Sequence, residues 1–188
     1  ITFHLQLLKN KLIFSMAKKL IIDWKEYNQI VEKLAIQIFD SGFKPDILIG
    51  IMRGGAPIID VLSRVFKLKC AYLAVESYSG KNIENQQGEL IFSRELSSTV
   101  QEMSGNILLC DDLSDTGVTL NKSIEWLRKY PPLIGKIKSI KTAVLWKKAI
   151  STFEPDFCAQ KLNDNPWIVQ PFEKYEEIRI EDLKKSQK

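Results

Sequence analysis

Ile107-Leu108-Leu109-Cys110-Asp111-Asp112-Leu113-Ser114-Asp115-Thr116-Gly117-Val118-Thr119-Leu120 is the stretch that decides the fold. Its first four residues are apolar without a break, the pattern of a central parallel strand covered on both faces rather than of an alternating edge strand. Asp111 and Asp112 then stand at the carboxyl end of that strand, the edge where open α/β sheets bind ligands. Two carboxylates there can accept hydrogen bonds from neighbouring sugar hydroxyls, or hold a Mg²⁺ already carried by phosphate. Ser114 to Thr119 add hydroxyls and main-chain N–H groups where a helix begins, and a helix N-terminus attracts phosphate through its free N–H groups and its dipole. A strand end followed by an ordinary capped helix uses similar residues and is the plainer alternative.

The rest of the composition suits one enzyme-sized α/β domain. The chain has 188 residues, 45% hydrophobic and 27% charged, with a formal net charge of +4 and a pI near 8.9. Part of that basicity sits in the Lys-rich ends, so nucleic acid is not the expected partner. Cys70, Cys110 and Cys158 are odd in number and lack CxxC spacing, which points to buried thiols of a reducing, cytoplasmic setting rather than to a disulfide or zinc site. No apolar run is long enough to span a bilayer. Residues 1–15 are expected to be an N-terminal appendage of uncertain origin ahead of Met16. They contain His4, the only histidine, so histidine chemistry is not expected in the domain.

Upstream of the deciding stretch, Asp23 and Glu26 form a capping-box-like start. Tyr27, Ile30, Val31, Leu34 and Ile38 follow at helical spacing until Gly42. Asp46–Ile51 reads as a second buried strand, followed by Met52-Arg53-Gly54-Gly55 and a helix entered through Pro57, with Ile58, Val61, Leu62 and Val65 facing inward. In that turn the glycines let the main chain approach a ligand and Arg53 offers a forked donor for phosphate, although a tight βα turn alone accounts for them equally well. Cys70–Val75 and Glu89–Arg94 are strand-like and flank a long polar segment, the pattern of a β-hairpin with a lid-like tip. Ile140–Trp146 is a further strand with Lys147 or Lys148 at its carboxyl end. Asn165–Glu173 then carries an aromatic plate at Trp167, which could equally be core.

Taken together, these motifs resemble type I phosphoribosyltransferases, and among them the bacterial and archaeal xanthine–guanine and hypoxanthine–guanine enzymes. Ile107–Leu120 is similar to their phosphoribosyl-pyrophosphate (PRPP) signature, with Ser114 in place of an aliphatic residue. Arg53-Gly54-Gly55 resembles their pyrophosphate loop, in which the peptide before the basic residue is often cis. Ser77-Tyr78 resembles the pair on their flexible loop, and Trp167–Glu173 their Trp-Ile-x-x-Pro-Trp segment, with Phe172 for the second Trp.

The resemblance implies an α/β type I phosphoribosyltransferase fold: a mainly parallel central sheet flanked by helices, a small hood and a flexible β-hairpin loop. It implies a single domain over 16–188, with the loop at about 77–92 and a base-binding hood at about 150–180. PRPP would be bound by Arg53, Gly54, Gly55, Ser77, Tyr78, Asp111, Asp112, Ser114, Asp115, Thr116, Gly117, Val118 and Thr119. Asp112 and Asp111 would hold Mg²⁺. Lys147 would meet the purine 6-substituent, with Lys148 as a register rival where the family has proline. Trp167 would stack on the base and the Ile168 main chain would contact its 2-position. Arg53 and Asp115 would be catalytic, Asp115 accepting or sharing a proton at purine N7.

The implied reaction moves ribose 5-phosphate from PRPP to a 6-oxopurine (guanine, xanthine or hypoxanthine) with loss of pyrophosphate, in a homodimer or tetramer. A pyrimidine phosphoribosyltransferase and a non-catalytic PRPP or nucleotide sensor are the alternatives.

Overall fold

The computed structural model describes residues 18–78, 89–100 and 102–186. The appendage expected at 1–15 lies outside the described residues, as does the 79–88 tip of the expected flexible loop. In chain order the elements are β1 (Lys19–Ile21), α1 (Trp24–Asp40), β2 (Ile47–Met52), α2 (Gly55–Phe66), β3 (Cys70–Tyr78), β4 (Glu89–Phe92) and β5 (Ser97–Ser98). They continue with β6 (Gly105–Ser114), α3 (Val118–Lys129), β7 (Ile137–Lys147), β8 (Phe157–Lys161), β9 (Trp167–Val169), α4 (Lys174–Glu177) and α5 (Ile180–Ser186). The chain divides into two compact units: Ile30–Asn163, and a smaller unit that joins Ile1–Gln29 to Asp164–Lys188.

The larger unit is built on a parallel sheet in the order β3-β2-β6-β7-β8, with β4 and β5 running antiparallel along the outer edge of β3. Ile107, Leu108, Leu109 and Cys110 are all 0% exposed, as an unbroken apolar run covered on both faces requires. Leu120 and Leu127 of α3 pack with Ile49, Leu109 and Val144 in one core layer, while Ile59 of α2 crowds Gly50 of β2. The inner face of α2 is Gly55, Ile58, Ile59 and Leu62. Val65, expected there, is exposed although it continues that stripe, and it lies in the last turn of α2, just ahead of the left-handed cap at Lys67. The expected hairpin is present: β3 and β4 pair antiparallel from Val75–Phe92 to Tyr78–Glu89. Phe92 stacks on Trp126 of α3 at 6.2 Å and Trp126 on Tyr130 at 4.7 Å, which ties the returning strand to that helix.

The smaller unit has its own two-stranded sheet, β1 parallel to β9, with Leu20 opposite Ile168. This pairing was not anticipated from the sequence. It joins the N-terminal residues to the second half of the expected hood, whereas 150–163 belong to the larger unit. Trp24, Tyr27 and Phe172 form an aromatic cluster with centroid separations of 5.9 to 6.3 Å. At the start of α1 the Glu26 N–H donates to Asp23 Oδ1 at 2.8 Å, the cap read from the sequence, and Tyr27, Ile30, Val31, Leu34 and Ile38 are all buried.

Candidate active site

Both motifs of the larger unit come together at the carboxyl edge of the sheet. β2 ends in Met52, the Met52–Arg53 peptide is cis, and the chain turns through Gly54 into α2. Strand β6 lies directly beside that turn. A Cβ on Gly54 would overlap the Asp112 carboxylate, and one on Gly55 would overlap the main-chain oxygen of Cys110. The glycines therefore let an acidic side chain and a strand main chain rest against the turn, with the exposed Arg53 at its start.

The acidic pair does not follow the strand, as the sequence suggested, but lies inside it. β6 runs on to Ser114 because β7 continues to pair with it, matching Asp111 to Val144 and Ser114 to Lys147. The two carboxylates consequently differ. Asp111 is 8% exposed and accepts the Asp112 N–H at 3.0 Å; burial first, and then the neighbouring Asp112 charge, push its carboxyl well above the usual range. Asp112 is half-buried and lies against Gly54.

Beyond Ser114 the chain makes an exposed Asp115-Thr116 turn and enters α3 through Gly117, at φ 87. No side chain caps this helix, although Thr116 Oγ1 accepts the Val118 N–H at 3.4 Å. Support comes from the segment after β7. The Lys148 N–H donates to Ser114 O at 3.1 Å, the Thr152 N–H and hydroxyl both donate to Thr116 O at 3.3 Å, and the Ser114 and Ser151 hydroxyls share a hydrogen bond of 2.8 Å. Phe153 lies so close to Gly117 that a Cβ there would overlap it. The Ser114 hydroxyl, expected on phosphate, is thus directed at Ser151, while Thr116 and Val118 are exposed and Thr119 is half-buried at the helix start.

The two lysines that end β7 part company. Lys147 is ion-paired to Glu154 at 3.2 Å, and Glu154 also takes Lys161; hydrogen bonds from Lys161 and then Lys147 hold the Glu154 carboxyl below its usual range. Lys148 reaches Asp115 at 3.0 Å with its side chain 10% exposed against 58% for its partner. A pocket of about 630 Å³ opens beside the turn, lined by Met52 and Arg53, by Ala74, Val75 and Glu76 of β3, by Ile91 and Phe92 of β4 and by Ser93 just after it.

A family model described as phosphoribosyl transferase domain matches residues 21–177. The chain belongs to this family. Among solved structures, the purine phosphoribosyltransferase of Pyrococcus horikoshii superposes with a TM-score of 0.66 at 26% identity, covering 82% of this chain and 93% of that one. The xanthine-guanine-hypoxanthine phosphoribosyltransferase of Helicobacter pylori gives 0.65 at 21% identity, covering 89% and 99%. A Neisseria gonorrhoeae protein crystallised with bound ppGpp gives 0.66 at 19% identity, covering 92% and 96%.

As a phosphoribosyltransferase, the chain brings Arg53, Gly54, Gly55, Asp111, Asp112 and 114–119 to one sheet edge, and it adds Lys148, Ser151 and Thr152, which sequence reasoning passed over or ranked second. Only a β7–β8 connection rich in hydroxyls, Ser151-Thr152, hinted at the last two. Ser77 and Tyr78 end β3 opposite Leu90 and Glu89, and their side chains are not among those described. In the smaller unit Trp167 is 42% exposed rather than core. The Trp167 N–H bonds Lys18 O and the Ile22 N–H bonds Val169 O at 2.9 Å each, so strand alternation turns the Ile168 N–H and C=O away from β1.

The family's magnesium finds a partial donor set. Among the described residues no cluster of three or more His, Cys, Asp or Glu side chains could hold a metal. A single half-buried carboxylate at Asp112, backed by a protonatable Asp111, fits a hard cation that keeps water and substrate phosphate as its other ligands.

Proposed function

We propose that this phosphoribosyltransferase transfers ribose 5-phosphate from PRPP to a 6-oxopurine, giving the nucleoside 5′-monophosphate and pyrophosphate. The observation that carries the reading is the packing of the Arg53-Gly54-Gly55 turn against Asp112. It brings Arg53, the Asp112 carboxylate and the start of α3 to one edge, which supports reading them as groups for pyrophosphate, sugar hydroxyls and phosphate. In this reading Thr116 to Thr119 take the 5′-phosphate, Asp111 and Asp112 the ribose hydroxyls, and Arg53 the pyrophosphate. Mg²⁺ is held mainly by Asp112 and supplies positive charge to the leaving pyrophosphate. Asp115 accepts or shares the proton at purine N7. The reaction passes through a cationic ribosyl centre, so catalysis is largely electrostatic, and Arg53 is its cationic protein group at the leaving group. Trp167 and the Ile168 main chain, both in the smaller unit, are the groups that the family resemblance names for the base. The 26% identity to a purine enzyme supports the choice of base.

The test is pyrophosphate release from PRPP and Mg²⁺ with guanine, xanthine, hypoxanthine, adenine, uracil and orotate, beside a control without base. Release with the 6-oxopurines alone is expected. Release with uracil or orotate overturns the choice of base. A second reading, nucleotide sensing, is favoured by the neighbour with bound ppGpp; saturable binding of PRPP or ppGpp with no release for any base would establish it.

A further inference from the structure

We infer that Thr152 is a positioning residue: it locks the peptide between Thr116 and Gly117 so that this peptide turns its N–H, and not its carbonyl oxygen, toward the 5′-phosphate. The inference rests on the PRPP-binding half of the proposed function and gives a role to a residue that the family resemblance leaves without one.

In a planar trans peptide the C=O and the following N–H point in opposite directions. Whatever holds the Thr116 oxygen on one side therefore aims the Gly117 N–H at the other. Thr152 holds that oxygen twice, through its own N–H and through its hydroxyl, each at 3.3 Å. The peptide after Ser114 is held in the same sense: the Lys148 N–H bonds Ser114 O at 3.1 Å and so turns the Asp115 N–H away from that partner. Among the described residues neither the Asp115 nor the Gly117 N–H has a hydrogen-bond partner, so both are left for a ligand beside the start of α3.

The clamp sits at the peptide that most needs one. A flip of the Thr116–Gly117 peptide changes ψ of the first residue and φ of the second, and glycine accepts φ of either sign. Gly117 stands at φ 87, so its own conformational preference does not oppose the flip. A flipped peptide would set a carbonyl oxygen against the phosphate, and it would first have to break both bonds to Thr152. Thr152 is itself carried on a fixed segment. The Ser151 N–H bonds Lys148 O at 3.1 Å, the Ser151 hydroxyl shares its 2.8 Å hydrogen bond with Ser114, and Phe153 closes against Gly117.

The test is calorimetric binding of PRPP and of pyrophosphate, both with Mg²⁺, to the whole chain. Pyrophosphate shares the anion that Arg53 would take but carries no 5′-phosphate. Thr152→Val keeps the shape and the main-chain donor and loses the hydroxyl. It is expected to weaken PRPP by about threefold to tenfold, the loss of one hydrogen bond, and to leave pyrophosphate within about twofold. Thr152→Ser restores the hydroxyl and is expected to bring PRPP back to within about twofold of the wild-type chain. Thr152 is exposed, so neither replacement reaches the core. Equal weakening of both ligands makes Thr152 a structural residue and overturns the inference, as does unchanged PRPP binding in Thr152→Val. A wild-type chain that binds no PRPP overturns the proposed function itself, and the inference with it.

Discussion

Asp111 shows how one residue can link stability to binding. Its carboxyl is buried and its affinity for a proton is raised, so the folded chain holds that proton more tightly than the unfolded chain does. Stability from this group is therefore fully present below the ordinary carboxylate pKa of about 4 and is lost as pH rises through the raised folded value. Asp111→Asn is expected to flatten the fall of the melting temperature with pH in the ligand-free protein and to weaken PRPP binding in magnesium, read by thermal melts from pH 4 to 8 and by calorimetry. The two glycines of the turn separate the same two properties. Gly55→Ala drives a methyl into a strand carbonyl and should cost about 1–3 kcal/mol of stability in denaturant titration. Gly54→Ala meets a movable carboxylate and should mainly lower PRPP-dependent turnover. Arg53→Ala and Asp115→Asn leave the fold intact and are expected to lower kcat by at least about a hundredfold; near-native turnover in both would remove the mechanism.

At the scale of elements, the strand that decides the fold was legible because burial on both faces leaves no alternation to misread, and Ile107–Cys110 is as buried as that pattern demands. Where β6 stops was not legible. Asp111 and Asp112 look like a strand end in isolation, and only the matching length of β7 keeps them paired. The Arg53 turn, the hairpin and the helix cap at Asp23 follow from local chemistry that a sequence displays, whereas the cis peptide before Arg53 was implied only by the family resemblance. The brace on the phosphate loop depends on Ser151 and Thr152 meeting residues about 36 positions earlier in the chain, a long-range pairing that no local pattern encodes. The β1–β9 sheet was missed for the same reason. The aromatic stack of Phe92, Trp126 and Tyr130 invites a test at this scale. Trp126→Leu should cost about 0.5–1.5 kcal/mol for each ring pair lost and raise KM for PRPP more than KM for the base, since Phe92 and its neighbours line the pocket beside Arg53.

For the whole molecule, ligand binding should report through unfolding. A nucleotide that binds only the native chain raises its stability by RT ln(1 + [L]/Kd), so guanosine or inosine monophosphate at about a hundred times Kd is expected to add about 2.7 kcal/mol, and uridine monophosphate much less. Equal shifts from all three would contradict the purine reading.

The segment that steadies the phosphate loop also delivers Lys148, and this limits how the protein can be re-engineered. Exchanging residues 148–153 for those of a relative, in order to accept a different base, replaces at the same stroke the groups that hold Ser114, Thr116 and Gly117 in place. On the proposed function, the lysines that would meet the base and the brace on the loop that would hold phosphate are inherited together. Libraries that vary the two loops jointly should yield active specificity variants, where grafts of either loop alone yield catalysts with weakened hold on PRPP.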